Sequence, residues 1–191
     1  MNTKKLTLTI IFAAVTVALN PAISGVGVPA PYLPFLIYGL WEIPIAIAFI
    51  LVGPKSGAAV MILNALMLLA FFPGPLLMGP FYNLAALSTM LLGVYIAQKL
   101  SKSELLKTGK IPLVATIATA IGIVFRIMSM SVINYVTLGL EPPFGFNAAE
   151  PYIVSILPLL ALFNGTVVLY TIPIAYTIIA AIRKITNLRL D

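Results

Sequence analysis

Six runs of apolar residues, most of them long enough for a membrane-crossing helix, alternate along the chain with short polar or Gly/Pro-rich linkers. They fall at about 6–22, 35–53, 58–73, 80–98, 111–137 and 151–182. The runs are long and lack the apolar/polar alternation of a half-buried strand. Helices are therefore expected rather than a barrel, the only other structure that satisfies every backbone polar group inside lipid. About 20 residues of helix cross a bilayer's hydrocarbon core. The pattern predicts an all-α integral membrane protein, one domain over 1–191 with six transmembrane helices. Pro34, Pro44, Pro112, Pro158 and Pro173 mark bends or helix starts. Run six is longer than a simple crossing, so it is expected to tilt, to break near Pro158 or to extend beyond the bilayer.

Charge assigns the linkers to sides. The chain has 11 Lys and Arg. Lys4 and Lys5, Lys55, the set Lys99, Lys102, Lys107 and Lys110, and then Arg183, Lys184 and Arg189 occupy every second linker or an end. The intervening linkers 21–34, 73–80 and 138–150 carry none. Cytoplasmic segments concentrate Lys and Arg, so both termini and the Lys99–Lys110 linker are expected to be cytoplasmic. The first run lacks a small-x-small cleavage pattern and is expected to be a retained helix. The chain is 61% hydrophobic and 8% charged, against about 25% charged in a soluble domain. Its net charge of +6 is spread over linkers rather than gathered into a patch, which argues against nucleic acid as a partner. Membrane lipid is the expected surround.

Enzyme chemistry has little to work with. Cys and His are absent, which removes disulfides, thiolate chemistry and the usual zinc sites. There are no paired carboxylates and no phosphate-binding glycine motif. Gly53-Pro54-Lys55-Ser56-Gly57 lacks the Walker pattern. No catalytic residue, metal or cofactor is expected, and any ATP-driven step requires another polypeptide.

The eleventh basic residue, Arg126, lies inside run five. Counting from Lys110, it sits about 24 Å along a helix, past the midplane. A charge at that depth faces protein or a water-filled cavity. It is a candidate ligand contact or pocket-organising base. The alternatives are an ion pair with Glu42 or Glu150, or snorkelling to the outer headgroups. Arg126, Met130 and Asn134 are spaced i, i+4, i+8 and share one helix face, with Tyr135 beside them. Asn83 and Asn164 are further amides in apolar runs. Helix–helix hydrogen bonding is the simpler account of each amide. Trp41, Tyr38, Tyr32, Phe81, Tyr82, Phe144, Phe146 and Tyr152 gather near the expected outer ends, while Tyr95 is the main inner aromatic. An interfacial belt explains most of them. The asymmetry also suits an aromatic-lined cavity open to the outside, which would take a planar organic solute.

Together these residues resemble the substrate-binding S component of an energy-coupling factor vitamin transporter, over nearly the whole chain. Ala14-x-x-x-Ala18, with Ala13 in the same patch, resembles the family's small-residue motif for docking on the coupling subunit. Arg126-Ile-Met-Ser-Met130-Ser-Val-Ile-Asn134-Tyr135 resembles the fifth helix of the riboflavin-specific branch, in which the Asn contacts the flavin. Glu42-Ile-Pro44 with Gly53-Pro54 and Gly57-Ala58, Gly79-Pro-Phe-Tyr-Asn83, and Leu162-Phe163-Asn164-Gly165 resemble segments of its second and third, fourth and sixth helices. Thr166 and Val167 stand where that branch carries Lys-Gly, and Leu40-Trp41 precede Glu42 where it carries Ser or Asp. The missing Lys leaves the vitamin open between riboflavin and alternatives such as pantothenate or folate. The resemblance implies high-affinity capture of a vitamin from outside. A transmembrane coupling subunit and two ABC-type ATPase subunits are the implied partners. It makes Asn134, Arg126, Met130, Tyr135, Asn83, Asn164, Tyr38, Trp41 and Glu42 the candidate ligand residues. A stand-alone secondary carrier or channel for a small organic solute is the competing class. The absence of a visible internal repeat argues against a carrier built from inverted halves.

Overall fold

A computed structural model describes residues 3–71, 78–100 and 111–185. Helix α1 is Thr3–Leu19 and a single turn, α2, is Pro21–Ser24. A two-stranded antiparallel hairpin follows, β1 (Val28–Ala30) with β2 (Leu33–Tyr38). Helix α3 (Glu42–Ile47) runs directly into a π-helical turn, Ala48–Val52. Four long helices complete the fold: α4 (Pro54–Phe71), α5 (Gly79–Leu100), α6 (Ile111–Thr137) and α7 (Glu150–Ile185). These four are long and apolar enough to cross a membrane. The architecture is that of an α-helical membrane protein.

The surface argues the same way. On α1 the buried residues are Thr9 and Thr16, while Leu6, Ile10, Ile11 and Val15 are exposed. Water would drive the reverse arrangement. Glu42, Asn64, Arg126, Asn164 and Thr171 are buried as well. Polar groups turned inward and aliphatic ones outward fit a surround of hydrocarbon, where a polar side chain is satisfied only by protein.

The expected spans need correction in two places. Run one stops at Leu19 rather than continuing to 22, because Pro21 starts a new helix that Asn20 caps through a bond from the Ala22 amide. Run two is not helical from 35. Residues 33–38 form β2, and helix begins only at Glu42, past the break at Gly39. The hairpin is thus an addition to the all-α expectation. Its register shifts between Pro29 and Ala30, where Ala30 pairs with Leu33. Run six does not break at Pro158, since α7 continues through Pro158 and Pro173 over 36 residues. At 1.5 Å per residue that is about 54 Å, well over the roughly 30 Å of hydrocarbon. Run five is α6 with the bounds expected. Lys102, Lys107, Lys110, Arg189 and the Pro73-Gly74-Pro75 linker lie outside the described residues.

Inter-helix bonds fix the directions. The Thr9 and Ser56 hydroxyls bond each other at 3.0 Å, so α1 and α4 begin at the same end. Gln98 donates to the Tyr176 hydroxyl at 3.2 Å, pairing the last turns of α5 with the second half of α7. Ser88 contacts the Met61 sulfur, and Pro54 and Ala58 line one hollow with Leu92 and Tyr95, so α5 runs antiparallel to α4. Lys4, Lys5, Lys55, Lys99, Arg183 and Lys184 therefore share one end of the bundle, and the hairpin occupies the other. The main core runs through α3, α4, α5, α6 and α7. A smaller apolar cluster of Leu33, Leu138, Ile153, Ile156 and Leu160 fastens β2 to the hairpin end of α7.

Candidate functional site

Glu42, Arg126 and Asn164 meet inside the hairpin half. Arg126 Nη2 donates to Glu42 Oε1 at 2.9 Å, and Nη1 donates to Glu42 Oε2. The two side chains are 4% and 6% exposed, so Arg126 neither snorkels nor pairs with Glu150. Of the alternatives, the ion pair with Glu42 is the one formed. Arg126 Nε donates to Asn164 Oδ1 at 2.9 Å, and the Asn164 amide donates to the Leu160 carbonyl at 2.9 Å. The guanidinium also touches the Met90 sulfur. One cation thus joins α3, α5, α6 and α7. Two parallel N–H···O bonds to a carboxylate are the strongest arrangement an arginine makes.

A chamber of about 230 Å³ opens beside this pair. Asn20, Pro21 and Ala22 close it from α2, and Phe35 to Ile37 with Gly39 close it from the hairpin. Trp41, Glu42, Asn83, Arg126, Phe163, Val167 and Tyr170 form the rest of the wall. Three larger hollows are more apolar, among them one of about 340 Å³ between α4 and α5. One of about 600 Å³ runs between the end of α1, the hairpin and α7, and one of about 740 Å³ lies along α6 and α7. The smaller chamber is the better candidate despite its size, because convergent polar groups in an apolar wall are what orient a ligand.

The hairpin is tied over the chamber by hydroxyls. Tyr170 donates to the Gly39 carbonyl at 2.8 Å. The Tyr38 hydroxyl bonds Thr166 at 2.9 Å and also Tyr32. The Tyr38 ring packs on Phe163 with centroids 4.7 Å apart.

Of the nine candidate ligand residues, Trp41, Glu42, Asn83 and Arg126 line the chamber. Asn164 stands behind it, holding Arg126. Tyr38 lines the neighbouring 600 Å³ groove. Met130 and Asn134 do share the inward face with Arg126 and are buried, but they lie beyond the chamber wall. The Asn134 side chain makes no hydrogen bond among the described residues. Tyr135 faces outward, donating to Glu150 at 2.8 Å. Ala14 and Ala18 are both exposed on α1, whereas Ala13 is partly turned into the core. Phe81, Phe144, Phe146 and Tyr152 are exposed, as a belt requires.

Asn20, Phe163 and Tyr170 were not anticipated. Asn20 is 3% exposed and donates to Asn64 at 3.2 Å. Its Asn-Pro dipeptide is a turn signal that marks the end of α1. Phe163 stands beside Asn164 in a segment already singled out. Nothing in local sequence separates Tyr170 from its apolar neighbours. No family model matches the chain, and no curated protein is significantly similar to it.

Proposed function

We propose that this protein is the vitamin-binding S component of an energy-coupling factor uptake transporter, with riboflavin as its ligand. The observation that carries this reading is the chamber: an apolar wall with convergent polar groups at the Lys-poor end of a helical bundle, next to an inward face that ends in Asn134, whose amide has no hydrogen bond among the described residues. Arg126 and Asn134 are eight residues apart, about 12 Å along the helix axis. An elongated tricyclic ring with a polyol tail covers that span, reaching from the chamber to Asn134. In this reading the chain crosses the membrane six times with both termini cytoplasmic. The Lys-rich end faces the cytoplasm. Helix α1 makes the first crossing, and the hairpin with the short Glu42–Val52 unit makes the second. Capture from outside precedes docking on a transmembrane coupling subunit with two ABC-type ATPases. Ala14 and Ala18, exposed and small, form the docking patch, where only short side chains let helices approach closely.

The test is to purify the protein in detergent and look for a bound yellow chromophore, with mass spectrometry of the released small molecules. Titration by quenching of riboflavin fluorescence gives the affinity. Asn134→Ala is expected to weaken binding by about 1–3 kcal/mol, roughly 5- to 150-fold, because a buried ligand group loses its partner. Solute uptake by the isolated chain in liposomes, without ATPases, would instead support a stand-alone carrier.

A further inference from the structure

We infer that the chamber selects uncharged ligands, and that Glu42 is the residue that sets this preference by cancelling Arg126. The inference rests on the vitamin-binding reading and narrows it to a neutral vitamin.

A lone arginine in an apolar wall would mark a site for a carboxylate or phosphate. Here the site is already taken. Arginine has five N–H donors. Nε is used by Asn164, one hydrogen on each Nη is used by Glu42, and Nη1 also meets the Met90 sulfur at 3.7 Å, which leaves one Nη2 hydrogen, too few for a bidentate anion. The bidentate geometry that an incoming anion would seek is the one Glu42 occupies. Among the described residues lining the chamber, Glu42 and Arg126 are the only charged ones, so their formal charges sum to zero.

An anion could enter in two ways. It could displace Glu42, leaving that carboxylate buried without a partner. It could also sit in the chamber with no counter-charge of its own. Both strand a charge in a low dielectric, where desolvation outweighs what remains of the attraction. A neutral ligand meets neither obstacle. It finds the side-chain amide of Asn83, which has no hydrogen bond among the described residues. It also finds apolar faces at Phe163 and Trp41. Selectivity then comes from what the wall refuses as much as from what it binds.

Three flavins test this: riboflavin, which is neutral; riboflavin 5′-phosphate, charged at the tail; and 8-carboxyriboflavin, charged on the ring. The wild-type protein should bind at least one of the two anions at least about tenfold more weakly than riboflavin, one decade of affinity. Glu42→Gln frees Arg126 and should raise the anion-to-riboflavin affinity ratio by about tenfold or more. Arg126→Gln should lower it, and the double substitution should bring it back toward the wild-type ratio. A merely structural pair would weaken all three flavins together and leave the ratio unmoved, which would overturn the inference. So would two anions bound as tightly as riboflavin by the wild type. If Glu42→Gln does not fold, the ligand recovered from purified wild-type protein decides. An anionic vitamin such as pantothenate or folate overturns the inference. A neutral compound that is not a flavin supports it while removing riboflavin as the substrate.

Discussion

The two halves of the bundle are built from the same three helices, yet they pack in opposite ways. In the Lys-rich half, α5 and α6 close on one another through small residues, while the 740 Å³ groove opens along α6 and α7. A Cβ added to Gly93 would lie 2.9 Å from the Gly122 Cα, and Ala97, Ala118 and Ala175 are fully buried. In the hairpin half the same helices part around Asn83, Arg126, Phe163 and Tyr170. Gly122 and Arg126 are four residues apart on one face of α6. A single helical turn therefore separates a sealed crossing from a cavity. Side-chain size and polarity at the crossing decide which forms, and α6 carries both on one stripe: Gly122, Arg126, Met130, Asn134.

The sharpest way to break this comparison is to remove the charge that holds the open half together. Arg126→Met leaves Glu42 buried alone and should cost about 3–5 kcal/mol of stability. Adding Glu42→Gln should recover much of that loss, because the two positions act as a unit. Thermal unfolding in detergent measures both, and additive losses would mean the pair does not couple the helices. The closed half is attacked by Gly93→Ala. Its new methyl meets backbone rather than a flexible side-chain end, so α5 and α6 must separate, at about 1–3 kcal/mol. An unchanged melting temperature would show that the crossing is looser than its geometry. A gentler change is Tyr170→Phe, which deletes the bond to Gly39 and should cost about 0.5–1.5 kcal/mol. Faster proteolysis in the hairpin would register the released tether. The smallest effect is expected outside both halves. Ala14→Leu on the exposed face of α1 should shift stability by no more than about 0.5 kcal/mol. It should nonetheless abolish ATP-driven uptake in cells that supply the coupling subunit. Normal uptake would remove α1 as the docking surface.

The long helices were legible because each combines an apolar run with an uninterrupted length. Run five was read with the bounds observed because nothing inside it breaks a helix. Run two was misread for a local reason. Leu33, Phe35 and Ile37 alternate with Pro34, Leu36 and Tyr38, all of them apolar or aromatic, so a two-residue period leaves no polar trace. The burial of Arg126 followed from its place in the run, and its pairing with Glu42 was one of three outcomes the sequence allowed. Only the fold could choose, because the partners are 84 residues apart. Asn134 was placed on the correct face by spacing alone. Tyr135, its neighbour, lies about 100° around the helix and points away from the bundle. The hairpin's closure of the chamber was out of reach, since it depends on Tyr38, Tyr170 and Phe163 meeting across the fold.

The same ion pair makes one short segment depend on a distant one. The threonine hydroxyl of Thr9 bonds the Lys5 carbonyl within its own helix, so α1 enters a bilayer with that group already satisfied. Glu42 has no such local partner. It leaves the ribosome 84 residues ahead of Arg126, at the head of an apolar helical segment of only six plus five residues. That segment is about 16 Å long, half of what a crossing needs. By itself it is too short for a crossing, and its buried carboxylate is paired only once α6 stands beside it.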